Sequence, residues 1–315
     1  MPADDTGDDL PTRTSDSRWE IARPHGQPMP GGVRMAGFRD RTGGSVDLRV
    51  LPQPAVIVVI GLGTGRFRVE GPSGHRSLNG MVAAMSPGPT RVRGEGVACI
   101  EVELSPRAAH ALLGVPPLEL AGTVTAVDDL WGRDVRLLRE QLAAAGCWQE
   151  RLALTERFLR RRAAGAPPMA AEVAAAWDTI VAGRGRVRVG DLAASCGWSR
   201  KRLWSRFTSQ IGLTPKRAAM LVRFDHAARA LVAGEPAGDV AAACGYADQP
   251  PPPPRRPGPR RLHPRRPGRP HLVHRALTTR ATHGPPIRLN GPWAVAVRLI
   301  GPSAHSRPHG RNPTP

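Results

Sequence analysis

The sequence predicts an α+β chain: a β-rich N-terminal sensor-like domain with a helical subdomain, an all-α domain after it, and a disordered Pro/Arg-rich tail. Three observations carry this prediction. Short apolar runs, β-branched or alternating and bounded by Gly and Pro, fill residues 19–104. Apolar residues at helical spacing take over from about residue 127 and persist to about residue 234. The last 66 residues hold 17 of the 34 prolines and thirteen Arg, with no Lys, Asp or Glu. Proline lacks the backbone N–H and blocks the preceding helical turn, so such a stretch builds neither helix nor packed core.

The charge balance follows the same division. Of the formal +19, thirteen charges lie beyond residue 249 and only +6 remain in residues 1–249. The high isoelectric point is therefore not by itself a nucleic-acid footprint. Cys99, Cys147, Cys196 and Cys244 form no CxxC pair, which argues against a zinc site or disulfide scaffold and fits a reducing compartment. The acidic start "MPADDTGDDLPTRTSDSR" is unlike a signal peptide, and no stretch of about 18 apolar residues is present. The expectation is a soluble, cytoplasmic protein without a membrane partner.

In chain order, residues 1–18 read as disordered: polar, acidic and without periodicity. "PAVIVVIGLG", "RFRVEG" and "GVACIEVEL" then read as strands of a small sandwich or barrel. "VIGLGTG" (59–65) offers glycines after a strand, but the following alternation opens no helix and so gives no dinucleotide-binding turn. The expectation there is a hairpin. In "VDDLWGRDVRLLREQLAAAG", Leu130, Val135, Leu138 and Leu142 suggest one helix, begun by Asp128 and Asp129 near the N-terminal dipole. Leu152, Phe158 and Leu159 suggest a second helix, and "AGAPP" (164–168) a linker. The division predicted is 1–18, a sensor or dimerisation domain at 19–165, an α-helical domain at 169–249, and the tail at 250–315.

The phrase "GDLAASCGW" (190–198) returns as "GDVAAACGY" (238–246). A helix-turn-helix explains its composition. Leu192 faces the core, Ala193 permits a close helix crossing, Gly197 makes the turn, and Trp198 fills the corner. Ser199 caps the next helix, and Leu203 and Phe207 hold it one turn apart. By the repeat, Val240, Ala241, Gly245 and Tyr246 take the equivalent places. With Leu203 and Phe207 inward, Arg200, Lys201, Trp204, Ser205 and Thr208 are expected outward. That face suits a helix in a DNA major groove, though a solvated basic face on a plain helical hairpin has the same composition. Between the copies, Thr214 can cap, Pro215 suits a first turn and Gly234 a stop. Leu221, Phe224, Ala228, Leu231 and Val232 give this helix an apolar stripe. At roughly 28 Å, it could set two reading helices about one DNA turn, ~34 Å, apart.

These blocks, "VGDLAASCGWSRKRLWSRF", "GLTPKRAAMLVRFDHAARALVAG" and "GDVAAACGYADQ", resemble the AraC-type family of transcriptional regulators over about residues 170–249. The resemblance implies a bipartite domain with two helix-turn-helix units on double-stranded DNA. It also implies an N-terminal domain that senses a small-molecule effector or forms a homodimer. Carried over by position, Lys201, Trp204 and Ser205 would contact bases. Arg200, Arg202, Arg206, Lys216 and Arg217 would contact phosphates.

The departure lies after "GYADQ", where the family continues into a second reading helix and this chain runs into "PPPPPRRPGPRRLHPRRPGRP". An out-of-frame reading of a GC-rich gene produces such a composition; a genuine basic tail on phosphates is the other reading. Elsewhere, His25, His75 and His110 lack ligand-like spacing, and no Ser/His/Asp signature or phosphate-cradling loop occurs. The sequence therefore predicts no enzyme, no metal and no cofactor. Cys196 and Cys244 are expected as small buried hydrophobes and Trp19, Trp131, Trp148 and Trp177 as packing anchors. The rival to a regulator is a ligand-binding or dimerisation protein that no longer binds DNA.

Overall fold

The computed structural model describes residues 18–246, apart from 26–28, 30, 64, 72–73, 87 and 89. Of residues 1–18, expected to be disordered, 1–17 lie outside the described residues, as do the tail and everything after Tyr246; Arg18 is described and pairs with Asp40.

The described residues include ten strands: β1 (Trp19–Ala22), β2 (Val33–Asp40), β3 (Ser45–Val50), β4 (Val56–Gly61), β5 (Phe67–Gly71), β6 (Gly74–Leu78), β7 (Gly80–Ala83), β8 (Thr90–Glu95), β9 (Ala98–Leu104) and β10 (Val124–Ala126). They form two antiparallel sheets, in the orders β1-β2-β9-β4-β7-β10 and β3-β8-β5-β6. Every residue of β4, VIVVIG, is buried. Ile57 and Val59 join the cluster between the sheets, while Val56, Val58 and Ile60 join a second cluster beneath the helices. A central strand covered on both faces reads as an unbroken apolar run.

The glycine-rich stretch at 59–65 is not a hairpin. β4 pairs with β7 and β9, and β5 pairs with β6 and β8, so this connection crosses from one sheet to the other. The end of β4 is claimed elsewhere: the Gly61 N–H donates to the Asn79 carbonyl at 3.0 Å. A β-carbon at Gly61 would stand 2.1 Å from that oxygen. At the sandwich edge, Arg18 holds Asp40 with two hydrogen bonds of 3.0 and 2.8 Å.

Helix α1 (Pro106–Leu112) and a 3-10 turn at Pro117–Leu120 stand between β9 and β10, and α2 (Val127–Ala144) and α3 (Trp148–Ala163) follow β10. The buried stripe of α2 is Val127, Trp131, Val135, Leu138 and Leu142. Leu130, expected on that stripe, is half-buried; Gly132 next to Trp131 leaves helical geometry at φ +50°, so the residues before and after this kink do not share one helical phase. Trp131 stacks edge-on against Phe158 at 5.3 Å.

The remaining helices are α4 (Ala171–Ala182), α5 (Val189–Ser195), α6 (Arg200–Ile211), α7 (Pro215–Ala233) and α8 (Ala237–Ala243). The core beneath the large sheet continues through Leu113, Leu120, Trp177, Phe207 and Leu213 as far as Val222. The helix-turn-helix thus rests on the same apolar body as the strands. A separate small cluster of Ala227, Val240 and Cys244 holds α8. Among the described residues no helix is long and apolar enough to cross a membrane.

Candidate nucleic-acid interface

The corner between α5 and α6 is built from a few obligatory pieces. Leu192 and Ala193 are buried on α5. Gly197 takes φ +65°, a conformation that a β-carbon disfavours, and so turns the chain. The Trp198 N–H then donates to the Ala193 carbonyl at 2.9 Å. The Ser199 hydroxyl accepts from the Arg202 N–H at 3.2 Å and caps α6. Leu203 and Phe207 are fully buried and fix the rotation of the helix.

That rotation leaves Arg200, Lys201, Trp204 and Ser205 exposed along one side of α6, with Arg206 exposed on its flank. Trp204 has 54% of its surface in solvent, although a tryptophan of this size ordinarily packs. Thr208, expected on this face, is buried instead and donates to the Trp204 carbonyl at 2.6 Å. It sits one residue past Phe207, at the edge of the inward stripe, and its hydroxyl finds a partner within the helix. Arg202 is also exposed, but its guanidinium lies over the Trp198 ring at 4.7 Å, toward the corner.

Thr214 caps α7 by accepting from the Arg217 N–H at 3.3 Å, with Pro215 in the first turn. Lys216 and Arg217 are exposed there, and so is Met220. Sequence reasoning passed over Met220; its position off the stripe of Leu221 and Phe224 was the available signal. Val232, expected in that stripe, is exposed. The last turn of α7 runs past the main core, and the small cluster under α8 takes Leu231 but not its neighbour.

Residues 184–229 contain eleven Lys or Arg against Asp191 and Asp225. Asp225 is occupied by Arg229 at 2.7 Å. Among the described residues, Arg200, Lys201, Arg206, Lys216 and Arg217 form no ion pair. This side of the molecule therefore presents cations with no internal counter-charge.

The second corner repeats the first. Val240 is buried, Gly245 has φ +67°, and the Tyr246 N–H donates to the Ala241 carbonyl at 2.9 Å. Arg223 stacks over Tyr246 at 4.9 Å, as Arg202 does over Trp198. The position of a second reading helix falls beyond the described residues. Cys244 is buried, and burial pushes its thiol pKa up; Cys196 is half-buried and donates to the Glu172 carbonyl at 3.5 Å.

Residues 192–251 match the family model described as a helix-turn-helix domain. No curated protein matches the chain. Among solved structures, ToxT from Vibrio cholerae is 12% identical, over 68% of this chain and 90% of its own, with a TM-score of 0.41. The AraC-like transcriptional activator CuxR is 16% identical, over 70% and 90%, with a TM-score of 0.25. A cupin domain from Bordetella pertussis is 20% identical, over 23% and 81%, with a TM-score of 0.17. The matched segment takes in the turns of both corners and the helix joining them.

Proposed function

We propose that α6 enters the major groove of double-stranded DNA, with Lys201, Trp204 and Ser205 at base edges. Arg200, Arg202, Arg206, Lys216 and Arg217 lie on the flanking phosphates, where they set register without reading sequence. The observation that carries this is the division of α6: Leu203 and Phe207 have no exposed surface, while Trp204 and the unpaired cations opposite them are in solvent. Met220 adds an apolar contact beside them.

In this reading the strand-rich part binds a small-molecule effector or a second copy of the chain, the protein works in the cytoplasm, and no reaction is assigned to it. An effector changes DNA affinity only by binding two conformers unequally. Because the sequence after Gln249 lacks the second reading motif that the resemblance implies, the chain is expected to bind its operator weakly, each lost bidentate base contact removing about 1–3 kcal/mol of discrimination.

A gel-shift titration against the DNA upstream of the chain's own gene tests the reading. Specific complexes lost in Lys201→Ala support it. Complexes of equal strength on random DNA, erased by moderate salt, would leave only non-specific electrostatics and favour a protein that senses without regulating.

A further inference from the structure

The loop joining α4 to α5 carries Arg184, Arg186 and Arg188 at alternate positions, and all three are exposed. Its backbone is held on two sides. The Gly185 N–H donates to the Ile180 carbonyl at 2.8 Å, and the Arg186 N–H to the Gly183 carbonyl at 2.8 Å. Gly185 is buried at φ +71°, where a β-carbon would stand 2.1 Å from the Ala219 carbonyl oxygen of α7. Arg184, at φ +51°, is among the described residues the one non-glycine residue with a positive φ. Glycine holds that conformation without strain, and such strain gathers at functional sites. The guanidinium at 184 therefore calls for a use.

These arginines span the waist between the two corners. At one end Arg188 leads into α5, and Arg200 lies against the first turn of that helix, its Nη2 2.8 Å from where a β-carbon on Gly190 would stand. At the other end the Arg186 Nη1 donates to the Ala243 carbonyl, the last of α8, at 3.1 Å. Burial raises the Cys244 pKa, and Arg223, Arg186 and Arg184 lie near enough to oppose that rise. On α7, Arg223 continues the face of Lys216 and Met220, at i+7 and i+3 from them. The carboxylates beside this band are Asp191 on α5 and Glu235 before α8; both are exposed and, among the described residues, neither forms an ion pair. Asp225 projects from the opposite side of α7 and is held by Arg229. Asp239 opens α8, at the end away from Arg186. Arg184, Arg186, Arg188, Arg200 and Arg223 against Asp191 and Glu235 leave the waist positive.

We propose that Arg184 and Arg188 hold the phosphodiester backbone of duplex DNA at the waist between the two corners, with Gly185 and Arg186 as the anchors that aim them. A guanidinium offers paired N–H donors that match phosphate oxygens. The first helix of a helix-turn-helix crosses the backbone beside the groove that the second one enters. The arginine loop runs directly into that first helix, α5, and joins the reading face through Arg200. It is thus placed on the strand flanking α6, and this inference rests on the reading of α6 given above.

Fluorescence anisotropy of the full chain on the upstream duplex and on a random one, over a series of KCl concentrations, tests the contact. Arg184→Gln and Arg188→Gln should each lower the slope of log affinity against log salt by about 0.9, the share of one phosphate. Each should weaken both duplexes alike and keep the preference between them. Arg184→Gly removes the charge but suits the left-handed turn, so it should lower the slope equally while melting close to the parent. That variant separates a lost contact from a lost fold. Arg68→Gln, on the four-stranded sheet, should bind as the parent does. Every variant keeps the thirteen tail Arg, so differences between them are not the tail's. A slope equal to the parent's in either Arg184→Gln or Arg188→Gln would overturn the proposal. Weakening confined to the upstream duplex would overturn it as well, since that marks base reading. If no form prefers the upstream duplex, the base-reading role of α6 fails, and the salt slopes still decide the waist.

Discussion

Gly212, the C-cap of α6, stands close against the Pro117 carbonyl of the N-terminal 3-10 turn. Its φ is +83°, and a β-carbon added there would lie 2.7 Å from the Pro117 oxygen. Gly234 caps α7 with a similar φ of +93° but has no atom within 4 Å of such a β-carbon. Gly234→Ala should therefore cost only the left-handed strain, about 1 kcal/mol, whereas Gly212→Ala should cost about 2–3 kcal/mol because backbone must also move. Urea unfolding of the two variants measures this. Equal losses would mean that the contact with Pro117 does not constrain α6.

Stability and DNA recognition should separate on α6. Phe207→Ala removes a fully buried ring and should lose about 3–5 kcal/mol. Trp204→Ala, on the solvent side, should stay within about 0.5 kcal/mol of the parent yet weaken the specific DNA complex. Thermal melts and gel shifts on the same two proteins give the comparison. A large stability loss in Trp204→Ala would place that ring in the core and remove it from the reading face.

Acid should act through Asp40. Its carboxylate takes two hydrogen bonds from Arg18 and further ones from the Thr42 hydroxyl and N–H, which together hold its pKa down to about 2. A carboxyl group whose pKa is depressed on folding adds stability above its unfolded value, about 3.9, and loses it as pH falls through the folded one. The contribution should fade between about pH 4 and pH 2. Arg18 is part-exposed, so solvent screening limits the effect to about 1–2 kcal/mol. Asp40→Asn should flatten the stability curve in that window, seen by denaturant midpoints at each pH. A parent curve no steeper than that of the variant would count against the ion pair.

The tail makes a separate prediction. If residues 250–315 contribute only phosphate contacts, removing them should reduce the salt dependence of DNA binding while leaving the preference for the upstream sequence intact. If instead they arise from a shift of frame at about Gln249, translating the other two frames beyond that codon should reveal a basic helix with inward apolar anchors. A gene that encodes no such helix in either frame excludes the second explanation.

The parts of this architecture that depend on local chemistry were readable from residues alone. Ser199 and Thr214 as caps, Gly197 and Gly234 at positive φ, and the Leu203–Phe207 spacing all follow from a single turn of chain. Partner choice at longer range was not. Nothing in "VIVVIG" says that β4 pairs with β7 and β9 rather than with β5, because a doubly covered strand carries no alternation to set its neighbour. Thr208 turned inward for a similar reason: position on a helical wheel is read in steps of 100°, and the edge of the buried face depends on what packs there. A cleft beside Gln210 was invisible for a stronger reason. Its walls, which include His110, Asp134, Phe158 and Gln210, come from α1, α2, α3 and α6, which meet only when the helices pack.

The apolar body running from the large sheet to Val222 also has a practical consequence for anyone dividing the molecule. Ile211, the last residue of α6, and Leu213 just beyond it share their cluster with Leu113 and Leu120. A fragment cut at the Gly/Pro-rich segment near residue 165 would carry that greasy facet bare into water, and self-association is its expected fate. The second corner, held by three small buried side chains of its own, should behave in the opposite way: it can loosen, exchange its amide protons and be clipped by proteases while the rest of the molecule stays shut.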